Sequence, residues 1–243
     1  MKPLPYLLLF ALSGVFSSMF AQAAGLHAGL LGAWRSVGQP EQVLVVTPDY
    51  WSQTWFDREQ RVFERTRGGS YAVTGNSIET RLQFDSKSPS EVGKTATVQG
   101  VLDGDRLTLI DTDGGRQLWT RIDRGESPLA GTWRITGRHV NGTFSEMPLR
   151  ARRTLKILSG TRFQWVAINV ETGEFSGTGG GTFTFKNGKY VEHIEFFSRD
   201  GSRVGASLEF NGEGTGNNWR HHGLSSKGEP LDETWSRFKG ATP

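Results

Sequence analysis

Apolar and polar residues alternate with a period of two along most of the chain after residue 30. Between Ser77 and Phe84, for example, Ile78, Leu82 and Phe84 alternate with charged or polar residues, which predicts that these three side chains point inward. This period is typical of β-strands with one face toward a core. The pattern predicts strands in the first half at residues 32–37, 42–47, 50–56, 70–74, 77–84, 94–102, 106–111 and 117–122. No long segment has helical spacing, so consecutive strands should form an antiparallel meander that closes into a barrel.

The same pattern occurs twice. Leu31-Gly32-Ala33-Trp34 returns as Ala130-Gly131-Thr132-Trp133, and a constant shift of 112 residues then aligns the interiors of the halves. The shift matches Phe63 with Phe175, Gly68-Gly69 with Gly180-Gly181, and Phe84 with Phe196. A gapless match of this length indicates a tandem duplication. The predicted domains are residues 28–123 and 129–239, joined by a linker at 124–128.

The N-terminus has the features of a secretory signal peptide. Lys2 precedes an apolar run from Leu4 to Phe20, and Ala21-Gln22-Ala23 follows as a small-residue cleavage site. Serines and a glycine interrupt the run, which makes it a poor membrane anchor. We therefore expect residues 1–23 to be removed after Ala23 and the mature protein to be periplasmic or secreted. The sequence contains no cysteine, so the core must be stable without disulfides.

The overall charge narrows the range of partners. The formal net charge is +3, and most basic residues are scattered among acidic ones. A scattered pattern is typical of a solvated surface rather than a nucleic-acid interface. We expect no nucleic-acid partner and no stable membrane insertion, and the sequence leaves the oligomeric state open.

A pair of motifs then carries a family resemblance. Each half has Gly-x-Trp in its first strand and an Arg in its last strand: Gly32, Trp34 and Arg121, and Gly131, Trp133 and Arg237. This arrangement resembles the lipocalin-like (calycin) superfamily. The second half also resembles a family of secreted bacterial lipocalin-like domains of unknown function, through residues 171–183, 190–192 and 219–222.

The resemblance implies an all-β fold with two tandem antiparallel up-and-down barrels. It implies that the tryptophan closes one end of each barrel while the arginine packs across it. It also implies an internal cavity, because members of the superfamily bind varied small molecules and a few are isomerases or cyclases.

The hairpin around Asn187-Gly188 suggests where a site could lie. Asn-Gly favours the type I′ turn of a two-residue hairpin. In the strand that follows, the alternation places Tyr190, Glu192, Ile194 and Phe196 inside the barrel, and His193 and Glu195 outside. A carboxylate that points inward needs a partner or a function.

The repeat extends this assignment to a candidate ligand site in the second barrel. Aromatic rings with a few convergent polar groups are typical of small-molecule pockets. The predicted ligand-binding residues are Phe163, Trp165, Phe183, Tyr190, Glu192, Trp219 and His221. The first barrel, lined mainly by aliphatic residues, is predicted to be a packed support. Glu192 and His221 could form either a structural hydrogen bond or a ligand-facing pair.

These observations favour a periplasmic or secreted protein that holds a small apolar or aromatic ligand in the second barrel. One alternative is a non-covalent isomerase or cyclase with Glu192 and His221 as acid and base. Another is a non-catalytic envelope interaction module. One inward His and one inward Glu are fewer than the three protein ligands of a usual metal site, so we predict no metal and no cofactor. The sequence has no nucleophile elbow, phosphate-binding loop or His-Glu-x-x-His motif, so enzymatic activity is the less favoured hypothesis.

Overall fold

The computed structural model describes residues 25–38, 40–214 and 216–239. The predicted signal peptide at 1–23 lies outside the described residues. The first barrel contains eight antiparallel strands that pair in chain order, and it closes through pairing of the first strand with the eighth. These strands are β1 (Gly32–Ser36), β2 (Gln42–Val46), β3 (Tyr50–Asp57), β4 (Val62–Thr74), β5 (Ser77–Asp85), β6 (Thr95–Asp103), β7 (Arg106–Ile110) and β8 (Arg116–Asp123).

The second barrel repeats this plan and adds one short strand. Its strands are β9 (Gly131–Val140), β10 (Thr143–Glu146), β11 (Arg152–Leu158), β12 (Arg162–Asn169), β13 (Phe175–Lys186), β14 (Lys189–Phe197), β15 (Ser207–Glu213), β16 (Asn218–Leu224) and β17 (Pro230–Arg237). Pairing of β9 with β17 closes the barrel, and β10 pairs with the far end of β9. The predicted all-β fold with two antiparallel barrels is therefore confirmed.

One predicted strand is longer in the structure than in the pattern. The strand expected at 70–74 is the second half of β4, which begins at Val62 and continues through Gly68-Gly69. Its first half has charged residues at alternate positions, among them Arg65 and Arg67, so the apolar alternation that predicts a strand is absent there. The predicted Asn-Gly turn is present, with φ of 51° at Asn187 and 73° at Gly188.

An indole and a guanidinium close one end of each barrel. The Arg121 guanidinium lies 3.9 Å from the centre of the Trp34 ring, and Arg237 lies 3.9 Å from that of Trp133. Both indole N–H groups donate to a backbone carbonyl four residues earlier. A helical segment at residues 25–30, which the sequence pattern did not predict, packs Leu26 and Leu30 into this end of the first barrel.

A β-bulge in each barrel reverses the predicted side of two phenylalanines. The pairing of β4 with β5 skips a residue of β5 beside Gly68-Gly69, and the pairing of β13 with β14 does the same beside Gly180-Gly181. An extra residue shifts the alternation by one position. The prediction that Phe84 and Phe196 point into the barrels is therefore wrong, because both belong to an apolar cluster between the barrels.

That cluster joins the two barrels through equivalent surfaces. Phe63 stacks on its own counterpart Phe175, with ring centres 6.2 Å apart, and Phe56 contacts Phe196 at 5.0 Å. A contact between equivalent residues is what an approximately two-fold interface produces. Gln164 adds buried hydrogen bonds to the first barrel. The two barrels therefore share an apolar interface.

Candidate functional site

A cavity of about 820 Å³ occupies the first barrel. Its deep part is apolar and is lined mainly by Leu30, Leu44, Val46, Trp51, Tyr71, Ile78, Val98, Leu107 and Leu109. Its rim is polar and includes Arg65, Arg67, Asp85, Glu91, Lys94, Asp111 and Gln117. The side chain of Lys94 is 61% exposed, so the cavity opens to solvent at this rim. A volume of this size, apolar within and polar at the mouth, suits a small organic ligand.

The cavity exists because the first barrel has smaller side chains than the second at matching positions. The larger residue is in the second barrel at each of the following pairs: Ile78 and Tyr190, Ala96 and Leu208, Val98 and Phe210, and Leu107 and Trp219. The pairings Leu107 with Trp119 and Trp219 with Trp235 show that the last pair occupies the same place in its barrel. Loss of three aromatic rings from one interior leaves a volume that the remaining side chains do not fill.

In the second barrel, an ion pair fills the equivalent space. Lys156 Nζ lies 2.7 Å from Glu192 Oε1, and both side chains are 5% exposed. The same oxygen accepts a 2.9 Å hydrogen bond from the Tyr190 hydroxyl. The Lys156 ammonium also lies 4.8–5.9 Å from the centres of four aromatic rings. Cation–π attraction adds to the ion pair in this dry environment.

His221 belongs to a second pair in the same interior. Its Nε2 lies 3.2 Å from Glu233 Oε2, and Glu233 also binds Arg138 at the surface. Burial, followed by the charge of Lys156, lowers the pKa of His221 to about 4. Burial would raise the pKa of Glu233, but its hydrogen bond to His221 and the nearby positive charges hold that pKa below its usual value. At neutral pH the imidazole is therefore uncharged and the carboxylate is ionised.

The structure brings the predicted site residues together but pairs them differently. Phe163, Phe183, Tyr190, Glu192, Trp219 and His221 are buried in the second barrel, and Trp165 is half-buried beside them. Glu192 binds Lys156, and His221 binds Glu233. The postulated Glu192–His221 hydrogen bond is thus replaced by a Lys156–Glu192 ion pair and a separate hydrogen bond from the neutral His221 imidazole to the Glu233 carboxylate.

Sequence reasoning missed Lys156 and the position of the cavity, because it placed the ligand pocket in the second barrel. Lys156 lies within an apolar run, Leu155-Lys156-Ile157-Leu158, in which both faces are buried, so alternation gave no sign of its direction. The expectation that the first barrel is a packed support is wrong, since it contains the large cavity. The 112-residue shift could have shown this, because it pairs small residues with large ones at several inward positions.

The described residues also bear on membrane spans and metal sites. None of the helices in the described part of the chain is long and apolar enough to cross a membrane. Across residues 25–38, 40–214 and 216–239, no group of three or more His, Cys, Asp or Glu side chains has an arrangement that could hold a metal ion.

Comparisons with known proteins find similar chains among solved structures. No protein-family model matches the chain, and no curated protein matches it. A crystal structure of a lipocalin-like protein from Bacteroides uniformis is similar over 46% of this chain and 100% of its own length, with 14% sequence identity and a TM-score of 0.35. The assignment of two eight-stranded antiparallel barrels rests on the strand pairing described above rather than on this likeness.

Proposed function

We propose that this chain is a small-molecule-binding protein whose ligand occupies the first barrel. The observation that carries the proposal is the cavity of about 820 Å³, which is apolar in its deep part and polar where it opens. Burial of apolar ligand surface against such a wall is favourable by about 25 cal/mol per Å² before the costs of association. Trp51 lies in this wall and provides a spectroscopic reporter.

The second barrel, whose interior is filled by its own side chains, then serves as a structural support for the first. Its interior contains the Lys156–Glu192 pair and a set of large rings, and its outer face packs against the first barrel. Ligand binding by the residues predicted in the second barrel stays a prediction. The signal peptide expected at residues 1–23 supports a periplasmic or secreted location for the binding function.

Binding can be tested by replacing a cavity residue with the larger residue found at the equivalent position of the second barrel. Val98 lines the cavity, and its counterpart is Phe210. We expect the uncharged fluorescent probe N-phenyl-1-naphthylamine to bind the wild-type protein and to quench Trp51. Val98→Phe should weaken this binding at least about tenfold, equal to about 1.4 kcal/mol of binding free energy.

The control variant is Val101→Phe on the same strand. The side chain of Val101 is outside the cavity lining and 49% exposed, so the same substitution there should leave probe affinity unchanged. Absence of probe binding by the wild-type protein would contradict the proposal and favour an interaction module. Equal affinities of Val98→Phe and the wild type would place the ligand elsewhere. Native mass spectrometry of protein from its own cell envelope would then identify any retained ligand.

A further inference from the structure

A level of a barrel is the set of inward side chains at one height along its axis. One level of the first-barrel cavity is charged, whereas the equivalent level of the second barrel is not. Arg67 pairs with Gln53 across β3 and β4, two residues along β3 from Trp51 in the apolar wall. At about 3.3 Å per residue, this level lies about 7 Å above Trp51. Arg65 and Trp55 form the next level, at the mouth.

The second barrel fills the equivalent level with rings. The 112-residue shift matches Arg67 with Gly179, Gln53 with Trp165, and Asp85 with Phe197. A side chain at Gly179 would clash, because a Cβ atom there would lie 2.8 Å from the Trp165 indole nitrogen and 2.9 Å from the Phe197 ring. Since an aromatic layer completes one barrel, closing the fold does not require the arginine of the other.

Arg67 has a neutral hydrogen-bond partner, whereas the other charged residues of the cavity pair with an opposite charge or, in the case of Asp111, with backbone N–H groups. Its Nε and Nη2 both donate to Gln53 Oε1, at 3.2 and 3.0 Å. Among the described residues, no carboxylate lies within ion-pair distance of its guanidinium. Burial, followed by the positive charge of Arg65, lowers the pKa of Arg67. An added negative charge beside Arg67 would therefore be stabilising.

The remaining ionisable groups of the lining have partners of their own. Arg65 forms two hydrogen bonds with Asp85, and Lys94 binds Glu91 at 2.7 Å. Asp111 is exposed and accepts hydrogen bonds from backbone N–H groups of its own turn. Below the level of Arg67, the Trp51 indole N–H is a further hydrogen-bond donor that is buried without an acceptor among the described residues.

We infer that the ligand of the first barrel is an amphipathic organic monoanion, with its apolar body in the deep cavity and its acidic group on Arg67. This inference rests on the proposed function and adds the charge of the ligand. Arginine is suited to this role, because its planar guanidinium can donate two parallel hydrogen bonds to one carboxylate.

Three competitors of equal chain length test the inference. Decanoate, 1-decanol and decylamine would each be used to displace N-phenyl-1-naphthylamine at neutral pH. Decanoate should displace the probe from the wild-type protein at a concentration about tenfold lower than decanol, as a charge-assisted hydrogen bond implies. Decylamine should be the weakest competitor, because its charge repels that of Arg67.

Variants then test whether Arg67 causes the preference for decanoate over decanol. Arg67→Gln should bind the probe and lose the discrimination between decanoate and decanol, while Arg67→Lys should retain part of it. Gln53→Glu places a carboxylate of the protein beside Arg67 and should abolish the preference for decanoate while Arg67 is still present. This variant tests the inference even if Arg67→Gln is too unstable to fold. The control is Arg81→Gln, which removes an exposed charge outside the cavity lining and should preserve the preference.

The two proposals fail in different ways. Equal competition by decanoate and decanol, with the probe bound, would overturn the monoanion inference and leave the binding function in place. Preference for decanoate that survives in both Arg67→Gln and Gln53→Glu would also overturn it. A wild-type protein that does not bind the probe at all would instead contradict the proposed function.

Discussion

The buried ion pair of the second barrel gives a sharp prediction about stability. Lys156 and Glu192 lie 2.7 Å apart with 5% exposure each. Removal of one member leaves an uncompensated charge in a dry interior, which costs about 3–5 kcal/mol. We therefore expect Lys156→Met to reduce the free energy of unfolding by about that amount, because Glu192 would retain only the Tyr190 hydroxyl among its present donors.

The double variant Lys156→Met with Glu192→Gln should be much less harmful than the sum of the single variants. It removes both charges, keeps the approximate side-chain volumes, and leaves an amide oxygen to accept from Tyr190. Replacing a whole buried pair by neutral groups is often close to neutral, so a coupling energy of about 2–4 kcal/mol is expected from these costs. Urea unfolding followed by tryptophan fluorescence would measure the four free energies of this double-mutant cycle.

An exposed pair on the same barrel serves as the control. Lys189 Nζ lies 2.8 Å from Glu209 Oε1, with side chains 50% and 60% exposed. Lys189→Met with Glu209→Gln should give a coupling energy below about 1 kcal/mol, because water screens an exposed pair. Additive effects at Lys156 and Glu192 would refute the reasoning, and so would equal coupling in the buried and exposed pairs.

The remaining predictions concern pH and the contact between the barrels. His221 has a folded pKa of about 4 against about 6.5 when unfolded, so the unfolded state binds the extra proton. Stability should therefore be complete above pH 6.5 and fall by about 3 kcal/mol as the pH drops to 4, and His221→Gln should flatten this dependence in urea midpoints. Asp123 accepts hydrogen bonds from Ser159, Gly160 and Thr161 of the second barrel. Burial would raise its pKa, but hydrogen bonds, led by that from Thr161, hold the pKa below its usual value. Asp123→Asn should cost about 1–3 kcal/mol at pH 7, and this difference should decrease as the pH falls below about 3.9, where unfolded Asp is protonated, and be lost as the pH passes the lower pKa of the folded state. A variant as stable as the wild type at pH 7 would show that these hydrogen bonds contribute nothing.

Local signals in the sequence were enough for much of the fold. The alternation in Ser77 to Phe84 and the Asn187-Gly188 dipeptide act over a few residues, and each predicts its strand or turn correctly. The repeat of Gly-x-Trp and a terminal Arg located both barrels, since each barrel closes with the same stacked pair.

The tertiary structure alone decided the location of the cavity and the partners of the buried charges. The partner of Glu192 lies 36 residues away on β11, in an apolar run whose faces no period distinguishes. The skipped residues beside the Gly-Gly pairs reverse the direction of Phe84 and Phe196 without changing the sequence pattern. A period records only alternation within one strand, whereas an empty volume or a buried ion pair depends on side chains from several strands at one level of a barrel.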